Sequence, residues 1–430
     1  MQPQGLPGFR DFYPDDAALR THIFNAWREV ATRYGFQEYD GPPLEPLELY
    51  VKKSGEEIVG QLYTFEDRGG RAVALRPEMT PTLARMVGAR ARGLKKPIRW
   101  FSLPQLLRYE RPQRGRLREH FQLNMDIIGE SSSLADAEII AAAIDIVRAL
   151  GLGPDVVRAR VSDRRVVRAL LDARDLEEWQ VSAAFQHIDK VDREKRSELA
   201  ATLAQTAGIS TELAEYVLSV GDIKGLDAVM DTVRELPDGI EHAAGLAECV
   251  EALDAMGLGE FVDVDLGIVR GLAYYTGIVF ELFDASKALR AICGGGRYDG
   301  LLGALGGADL PAVGFGMGDV VLGELLSERG VKPAVPTGLD AFIVAVTGDD
   351  VSNVLRLGHR LRDKGVRVEY SLKPQSVGKQ LKLAAARAAT RAVIIGPDES
   401  EAGEALVRDL SSGEERRVAL DVLEEQYDWQ

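Results

Sequence analysis

The chain has 430 residues, 46% of them hydrophobic and 28% charged, a composition that is typical of globular proteins and excludes wholesale disorder. At about 150 residues per domain, this length predicts two or three domains. The formal net charge of −15 comes from 52 Lys and Arg against 67 Asp and Glu, and on average it disfavours a nucleic-acid partner.

Several classes of protein lack support in the sequence. No run of about 18 apolar residues is present, so we expect no membrane-spanning helix. Residues 1–14 lack the basic and then apolar pattern of a signal peptide, so we expect a cytoplasmic protein rather than a secreted one. Cys249 and Cys293 are too few for a disulfide framework, and the histidines lack ligand spacing, so no zinc site is predicted.

The average charge hides two basic segments. Residues 90–118 contain ten Lys or Arg and one acid, and residues 356–391 contain ten Lys or Arg and two acids. Two basic segments on an acidic chain suit a protein that touches a polyphosphate in two places. The alternative is two solvated faces whose counter-charges lie nearby in space, and charge alone leaves both interpretations open.

In chain order, the first part of the sequence predicts helices and antiparallel hairpins. Asp15 and Asp16 begin apolar residues at helical spacing, and this helix should end at Gly35. Runs of strand-forming residues around turn residues predict the hairpins. The predicted elements are helix 15–34, hairpin 62–65 with 72–75, hairpin 105–110 with 121–128, helix 135–150, a mainly helical segment 163–255 without a recognisable site, and strands 262–265 and 278–282.

The last part of the chain has a different pattern. Residues 329–338, with two prolines, are predicted to be a linker. Beyond it, short apolar runs alternate with helical patterns, which predicts a small α/β domain of about 90 residues. Its predicted elements are strands 341–346, 366–372 and 392–396 and helices 349–364 and 376–389.

Three clusters carry residues suited to phosphate chemistry. The first is Arg76–Thr80, the second is the arginine-dense loop Arg108–Arg118, and the third is Arg270–Gly277 with Gly294–Tyr298 downstream. Guanidinium groups bind phosphate in a bidentate manner and stay charged, so arginines on rigid strands suit a phosphoryl or nucleotidyl step. A turn would explain any single Gly-Gly-Gly or Arg-Pro, but the ordered set favours a site.

This ordered set resembles the histidyl-tRNA synthetases, which are class II aminoacyl-tRNA synthetases, and the resemblance runs over nearly the whole chain. The stretch Ile268–Glu281 contains RGLAYYTG, which is similar to the histidine-specific motif of that family and is the most discriminating element. The other matching segments are Gly8–Asp11 with Pro14–Asp16, Pro43 at the place of the motif 1 proline, Arg108–Gly129 as motif 2, and a tail similar to the anticodon-binding domain of threonyl-, prolyl- and glycyl-tRNA synthetases.

The resemblance implies an α+β fold. It implies a class II catalytic domain at 1–328, with a six- or seven-stranded antiparallel sheet, flanking helices and a helical insertion at about 163–222. A linker at 329–338 and an α/β anticodon-binding domain at 339–430 would follow, and motif 1 would form a homodimer. The implied reaction uses ATP and Mg²⁺ to convert L-histidine to histidyl-adenylate, and then transfers histidine to the 3′-terminal adenosine of tRNA(His).

The family's residue roles carry over to matching positions. Arg270 and Arg108 would be catalytic, gripping the α-phosphate from opposite sides, and Arg270 would also contact the histidine carboxylate. Asp126, where other members often have glutamate, and Tyr275 would meet the two imidazole nitrogens. The remaining implied roles are the histidine α-ammonium for Glu78, Thr80 and Gln122, the pocket lining for Tyr274 and Tyr298, and the ATP and acceptor-stem side for Glu110, Arg116 and Arg118.

Physical chemistry agrees with these roles. A histidine carboxylate is already ionised at pH 7, so its attack on phosphorus needs alignment and charge neutralisation rather than a protein base. Two arginines and Mg²⁺ supply both. A carboxylate and a phenol that face the imidazole give paired hydrogen bonds that other amino acids would leave unmet.

Two positions depart from the family pattern. Val321 stands where motif 3 normally has the arginine that binds the triphosphate end of ATP. In the stretch RGLAYYTG (Arg270–Gly277), called the tyrosine motif below, Ala273 replaces the customary aspartate. A branch of the family that includes plant organellar forms has both features. We hypothesise that Arg116, Arg118 or Mg²⁺ takes over the missing charge.

Two alternatives without catalysis remain. One is a synthetase-like regulatory subunit of ATP phosphoribosyltransferase, which usually lacks the tail, so residues 339–430 argue against it. The other is a degenerate sensor of uncharged tRNA, which only Val321 favours.

Overall fold

The computed structural model describes residues 4–51, 60–191, 195–270, 274–286, 289–305, 308–331 and 338–425. The chain forms two compact units, residues 1–332 and 333–430. Most of the expected linker (332–337) and Gly271–Ala273 of the tyrosine motif, including the departure at Ala273, lie outside the described residues.

The first unit is built on a large sheet with helices. Its described strands are β1 (Gln37–Glu38), β2 (Leu44–Pro46), β3 (Thr64–Glu66), β4 (Ala72–Leu75), β5 (Ile98–Ser102), β6 (Gln105–Leu107), β7 (Glu119–Ile128), β8 (Val157–Asp163), β9 (Val262–Val264), β10 (Ile278–Asp284), β11 (Cys293–Arg297) and β12 (Ala312–Gly318). Its described helices are α1 (Pro14–Arg33), α2 (Glu48–Val51), α3 (Thr80–Arg90), α4 (Ser133–Ala149), α5 (Arg164–Asp172), α6 (Glu178–Ile188), α7 (Arg196–Ala207), α8 (Thr211–Val220), α9 (Leu226–Val233), α10 (Gly239–Ala255), α11 (Leu301–Ala304) and α12 (Asp319–Glu328).

Within the described residues the large sheet has nine strands in the order β1-β5-β7-β12-β11-β10-β8-β9, with β6 also paired to β7. The pairs along its centre are antiparallel, as the resemblance implies. The number exceeds the expected six or seven because short strands join the edges, where β1 pairs in parallel with β5 and β9 pairs in parallel with β8. Strands β2, β4 and β3 form a separate three-stranded sheet.

Most of the predicted elements of this unit are present. Helix α1 begins at Pro14, a residue that favours the first helical turn, and it ends just before Gly35, whose φ is +75°. Both hairpins form, although β6 ends at Leu107, earlier than expected. The run Gly294–Gly296 lies inside β11, so the interpretation of this triplet as a turn is wrong.

The core of the first unit lies between the sheet and its helices. Helix α4 is buried along almost its whole length, and its apolar residues join those of α1 and of the central strands. The helices of segment 164–255 add their own buried faces to the same core, and α10 contributes Leu246 and Leu253 to it. The sheet that holds the site is therefore supported along one face by a continuous apolar layer.

The second unit is a small α/β domain, as the sequence predicts. Its strands are β13 (Ala341–Ala345), β14 (Val368–Tyr370), β15 (Arg391–Ile395), β16 (Glu404–Asp409) and β17 (Glu415–Ala419), and its helices are α13 (Val351–Asp363), α14 (Val377–Ala386), α15 (Pro397–Ala402) and α16 (Leu420–Glu425). The sheet order is β14-β13-β15-β16-β17, parallel around β13 and antiparallel from β15 onwards. In neither unit does a described helix have the length and apolar character needed to cross a membrane.

Candidate active site

A cavity of about 690 Å³ in the first unit contains the predicted phosphate-binding arginines. This volume is in the range of sites for small molecules and cofactors. The sequence-predicted site residues that line it are Arg108, Glu110, Arg116, Gln122 and Arg270. The structure therefore brings Arg108 and Arg270 to one cavity, although they are 162 positions apart in the chain.

Arg270 lies on one wall of the cavity and pairs with the buried carboxylate of Glu281. Its backbone has the left-handed φ of +56°, which is unusual for a residue with a side chain. Arg164 stabilises this turn because its Nη1 donates to the carbonyls of Val269 (2.8 Å) and Arg270 (3.0 Å). The backbone strain at this position is thus offset by a second arginine beneath it.

The glycine strand β11 makes room for the Arg270 guanidinium. Glu281 on β10 pairs in register with Gly294 on β11. A Cβ at Gly294 would overlap the guanidinium and lie 2.6 Å from Cζ of Arg270. The absence of a side chain at position 294 therefore lets Arg270 lie directly on the sheet beside Glu281.

The charge of Arg270 is secured by its surroundings. Burial alone would lower the pKa of this guanidinium, but the Glu281 carboxylate and the Tyr275 phenol raise it, and the net shift is upward. Its Nε is buried and has no hydrogen-bond partner among the described residues. Arg270 therefore keeps a positive charge in the wall of the cavity.

Arg108 also lines the cavity, and it follows β6, the short strand that pairs with β7. Its backbone N–H donates to the carbonyl of Arg118 at 2.8 Å, and its Nε donates to the carbonyl of Pro77 at 2.9 Å. These contacts use one of the five guanidinium N–H donors of Arg108, so the others remain for a phosphate.

The loop after Arg108 contributes an ion pair to the cavity. The Glu110 carboxylate is buried and pairs with Arg116. Both residues line the cavity. Arg118 takes a different direction and does not belong to the lining. Its guanidinium lies 4.4 Å from the centre of the Tyr109 ring, and its Nε donates to the carbonyl of Glu110 at 3.0 Å.

His120 lines the cavity as an uncharged group. Burial and the neighbouring guanidinium groups of Arg108, Arg10 and Arg116 lower its pKa to about 3. The imidazole is therefore neutral at pH 7, and the positive charge of the cavity comes from its arginines.

Beside the arginines lies a buried cluster formed by Asp126 and three tyrosines. The Tyr298 hydroxyl donates to Oδ1 of Asp126 at 2.5 Å. The ring of Tyr274 lies 6.1 Å from that of Tyr298 and 4.9 Å from that of Tyr275. A side chain at Gly314, the register partner of Asp126, would overlap this carboxylate, so β12 makes room here as β11 does for Arg270.

Burial raises the pKa of Asp126 to about 7, against a smaller lowering by the hydrogen bond from Tyr298. Ionised and neutral forms of this carboxyl group are thus both populated near neutral pH. Such a group responds strongly to a ligand that carries a proton of its own, as imidazole does.

The remaining predicted residues lie around this cluster. Burial, Tyr275 and then the Glu78 charge raise the pKa of Tyr274, which places Glu78 within electrostatic reach of the phenol. Thr80 is the first residue of α3, two positions after Glu78. Tyr275 lines a second cavity, of about 370 Å³, together with Arg270. Asp126, Tyr274 and Tyr298 line neither cavity, so Tyr275 is the member of the cluster that reaches a cavity, beside Arg270.

Comparison with known proteins decides the family. Residues 8–318 match the family model described as histidyl-tRNA synthetase, and residues 340–426 match the model of an anticodon binding domain. The chain belongs to the histidyl-tRNA synthetase family.

Relatives and solved structures agree with this assignment. The chain is 46% identical to the histidine–tRNA ligase of Opitutus terrae over 98% of this chain and 96% of the relative. It is 42% identical to the chloroplastic/mitochondrial histidine–tRNA ligase of Arabidopsis thaliana over 97% of this chain and 85% of the relative. The crystal structure of histidyl-tRNA synthetase from Nostoc sp. PCC 7120 covers 99% of both chains with a TM-score of 0.85 at 27% identity.

At the start of α12, Val321 lines the cavity. Asp319, two residues earlier, is buried. Its Oδ1 accepts a hydrogen bond from the backbone N–H of Phe121 (2.9 Å), and its Oδ2 forms an ion pair with Nη2 of Arg10 (3.0 Å). Asp319 therefore fixes α12 against β7, while position 321 supplies only apolar surface.

The resemblance to the class II synthetases implies Mg²⁺ together with ATP. Among the described residues, no group of three or more His, Cys, Asp and Glu could hold a metal ion alone. Nucleotide-bound Mg²⁺ uses one or two carboxylates together with the phosphates and water. The lining includes Glu110, Asp189 and Glu281, so the donor set fits a cation that arrives with ATP.

Four residues of the site were missed by sequence reasoning: Glu281, Arg164, His120 and Arg290. Glu281 gives a weak signal because it interrupts the apolar residues of the buried strand β10. The others reach the cavity or its support only through tertiary packing, and Arg164 lies in a helix that was predicted to hold no site. No local pattern indicates them.

Proposed function

We infer that this histidyl-tRNA synthetase activates L-histidine with ATP and then transfers it to the 3′-terminal adenosine of tRNA(His). The single observation that carries this conclusion beyond family membership is the placement of Arg108 and Arg270 on one cavity. Tyr275 and Arg270 join that cavity to the cluster around Asp126.

In the proposed first step, an oxygen of the histidine carboxylate bonds to the α-phosphorus of ATP, and the bond from that phosphorus to the oxygen of the leaving pyrophosphate breaks. Arg108 and Arg270 would hold the α-phosphate from two sides and neutralise the negative charge that grows on its oxygens. In the second step, the terminal ribose hydroxyl of the tRNA attacks the histidyl carbonyl and AMP leaves.

For histidine itself, we propose that Asp126 and Tyr275 recognise the imidazole nitrogens. Tyr298 and Tyr274 would pack around the ring, and the negative charge of Glu78 suits the α-ammonium group. Thr80 and Gln122 would complete the ammonium site, since Gln122 lines the cavity next to Arg108. A pocket built on paired hydrogen bonds rejects amino acids that leave these groups unmet.

The ATP side would use the loop between β6 and β7. Glu110 and Glu281 would hold Mg²⁺ when it binds with ATP, and the cation would then neutralise part of the phosphate charge. Arg116 lies in the cavity and suits the nucleotide. Arg118 lies outside the lining and suits the acceptor-stem side instead.

We further propose that residues 339–430 bind the anticodon arm of the tRNA and that a homodimer forms through the motif 1 segment around Pro43. The match of residues 340–426 to an anticodon-binding domain supports the first proposal. The tRNA substrate supports the expected cytoplasmic location. The regulatory-subunit alternative loses support because relatives 46% and 42% identical are named ligases.

The decisive experiment is amino-acid-dependent ATP–pyrophosphate exchange with each of the twenty amino acids, followed by aminoacylation of tRNA(His). We expect exchange with histidine alone. Arg270→Gln and Arg108→Gln should each lower the exchange rate by roughly 100-fold or more, because each removes a donor that acts on the developing charge. Absence of exchange with histidine would overturn the proposal and favour a tRNA sensor.

A further inference from the structure

The missing motif 3 arginine leaves the far end of the cavity without its expected charge. Val321 and Val320 line this end and present only methyl groups. The β- and γ-phosphates of ATP carry most of its negative charge, and binding them requires cationic donors. Another cation close to position 321 would therefore have to supply this charge.

Arg290 lies close to Val321 in the folded chain. It belongs to the connection between β10 and β11 and lines the same cavity as Val321. A Cβ placed on Gly115 would lie 3.3 Å from Cγ2 of Val321 and 3.7 Å from Cδ of Arg290. The two side chains thus flank one point at the tip of the loop between β6 and β7.

A neutral group orients the Arg290 guanidinium. Its Nη2 donates to Oε1 of Gln113 at 2.7 Å, and Gln113 in turn exchanges two backbone hydrogen bonds of 2.9 Å with Arg116. An amide oxygen positions the guanidinium without cancelling its charge, whereas a carboxylate would have to be displaced by a phosphate.

The other arginines of the lining are less available to the ATP tail. Among the described residues that line the cavity, three arginines pair with carboxylates: Arg116 with Glu110, Arg160 with Asp265 and Arg270 with Glu281. Arg108 contacts a carbonyl and is the proposed ligand of the α-phosphate. This leaves Arg290 as the cation whose described partner is neutral and whose role is unassigned.

We propose that Arg290 binds the β,γ-phosphate end of ATP and replaces the motif 3 arginine that Val321 lacks. This inference rests on the proposed function, since it concerns the same ATP site. Gln113 is then a positioning residue, which holds the guanidinium over the cavity before the nucleotide arrives. Gly115 of the same loop lines the cavity beside Val321.

The test compares Arg290→Ala, Arg290→Lys and the control Arg28→Ala in histidine-dependent ATP–pyrophosphate exchange. Arg28 is an exposed arginine of α1 that pairs with Glu38. For Arg290→Ala we expect the KM for ATP and for pyrophosphate to rise roughly 10- to 100-fold, the effect of losing a charged hydrogen bond. Arg290→Lys should keep part of the affinity, because it retains a point charge without the planar fork.

A second measurement separates this role from damage to the site. Binding of a non-hydrolysable histidyl-adenylate analogue, measured by calorimetry, should be unchanged in Arg290→Ala because the analogue lacks the β- and γ-phosphates. An unchanged KM for ATP and pyrophosphate would overturn the inference, as would an equal loss of analogue binding. Both outcomes require an active wild-type enzyme, so they differ from a failure of the proposed function, in which wild-type exchange is absent.

Discussion

The position of the Arg270 guanidinium depends on the absence of a side chain at position 294. Gly294 faces this side chain across the sheet, and any Cβ there would overlap it. Several other glycines of the same unit have open space around an added Cβ. Gly300, for example, has no heavy atom within 4 Å of an added Cβ and a φ outside the left-handed region.

We predict that Gly294→Ala displaces Arg270 and lowers the rate of histidine-dependent pyrophosphate exchange by roughly 100-fold, the usual cost of misplacing a reacting group by about an ångström. Gly300→Ala is the matched control and should keep the wild-type rate. The measurement is steady-state exchange at saturating histidine and ATP. A Gly294→Ala enzyme with wild-type kcat would show that the guanidinium can move without loss.

The carboxyl group of Asp126 should make histidine binding depend on pH. Its pKa is raised to about 7, so the ionised form, which would accept the imidazole N–H in the proposed pocket, is lost as pH falls from 8 to 6. We predict that the KM for histidine rises over this range. Asp126→Asn should have a higher KM throughout and keep only the pH dependence of the substrate imidazole.

The substitution Tyr298→Phe tests the Asp126 carboxyl group through its hydrogen-bond partner. The hydrogen bond from Tyr298 lowers the pKa of Asp126, so its removal should raise that pKa and move the rise in KM to higher pH. Tyr13→Phe, at an exposed tyrosine near the N-terminus, is the control and should leave the profile unchanged. A profile that moves to lower pH in Tyr298→Phe would contradict the assignment.

For individual residues, the sequence predicts which side chains belong to the site better than it predicts which side chains contact one another. Arg108, Glu110, Arg116, Gln122 and Arg270 line one cavity, as the order of the motifs indicates. The partner of Arg270 could not be predicted, because only the β10–β11 register brings Glu281 next to it. Arg290 was also missed, since a lone arginine between two strands is normally solvated.

At the scale of elements, a buried ion pair joins strand β11 to helix α4. Arg297 at the end of β11 and Asp136 in the first turn of α4 are almost fully buried, and their closest atoms are 2.5 Å apart. The same guanidinium donates to the carbonyls of Glu130 (3.0 Å) and Ser132 (3.1 Å) just before the helix. The pair therefore fixes the sheet of the site against its main supporting helix.

We predict that Arg297→Met lowers the free energy of unfolding of the first unit by about 3–5 kcal/mol, since it leaves the Asp136 carboxylate buried and unpaired. Arg148→Ala, which breaks an exposed pair with Asp145 at the other end of α4, should cost less than about 1 kcal/mol. Urea unfolding followed by circular dichroism measures both. Equal effects of the two substitutions would show that the buried pair has no special role.

Element prediction fails mainly where glycine and tertiary context override local pattern. Three consecutive glycines normally mark a turn, yet Gly294–Gly296 form the middle of a strand because both neighbouring strands pair with them. The strands β16 and β17 were missed in the second unit. Their charged sequence, Glu415–Ala419 above all, is a weak strand signal, and pairing with β15 supplies what the local residues lack.

For the whole molecule, the two compact units suggest separable tasks. The second unit carries a basic segment although the chain as a whole is acidic. Lys379 and Lys382 are exposed on α14. A basic helix on a domain that resembles anticodon-binding domains suits contact with the phosphate backbone of tRNA.

We predict that Lys379→Glu combined with Lys382→Glu raises the KM for tRNA(His) in aminoacylation by roughly tenfold and makes this KM less dependent on salt, because phosphate contacts release counterions. ATP–pyrophosphate exchange without tRNA should be unchanged. Arg68→Glu, on the exposed turn between β3 and β4, is the control for an added negative charge. A parallel fall of exchange and aminoacylation would contradict a division of tasks between the units.

The glycines of β11 and β12 also limit how the specificity of the enzyme can be redesigned. Beneath Arg270 and Asp126, the wall is already reduced to bare peptide, so no truncation there can admit a larger amino acid. A side chain at Gly294 or Gly314 would take up space beside Arg270 or Asp126. New volume in the proposed pocket would have to come from other side chains, such as the aromatic rings of Tyr274 and Tyr298.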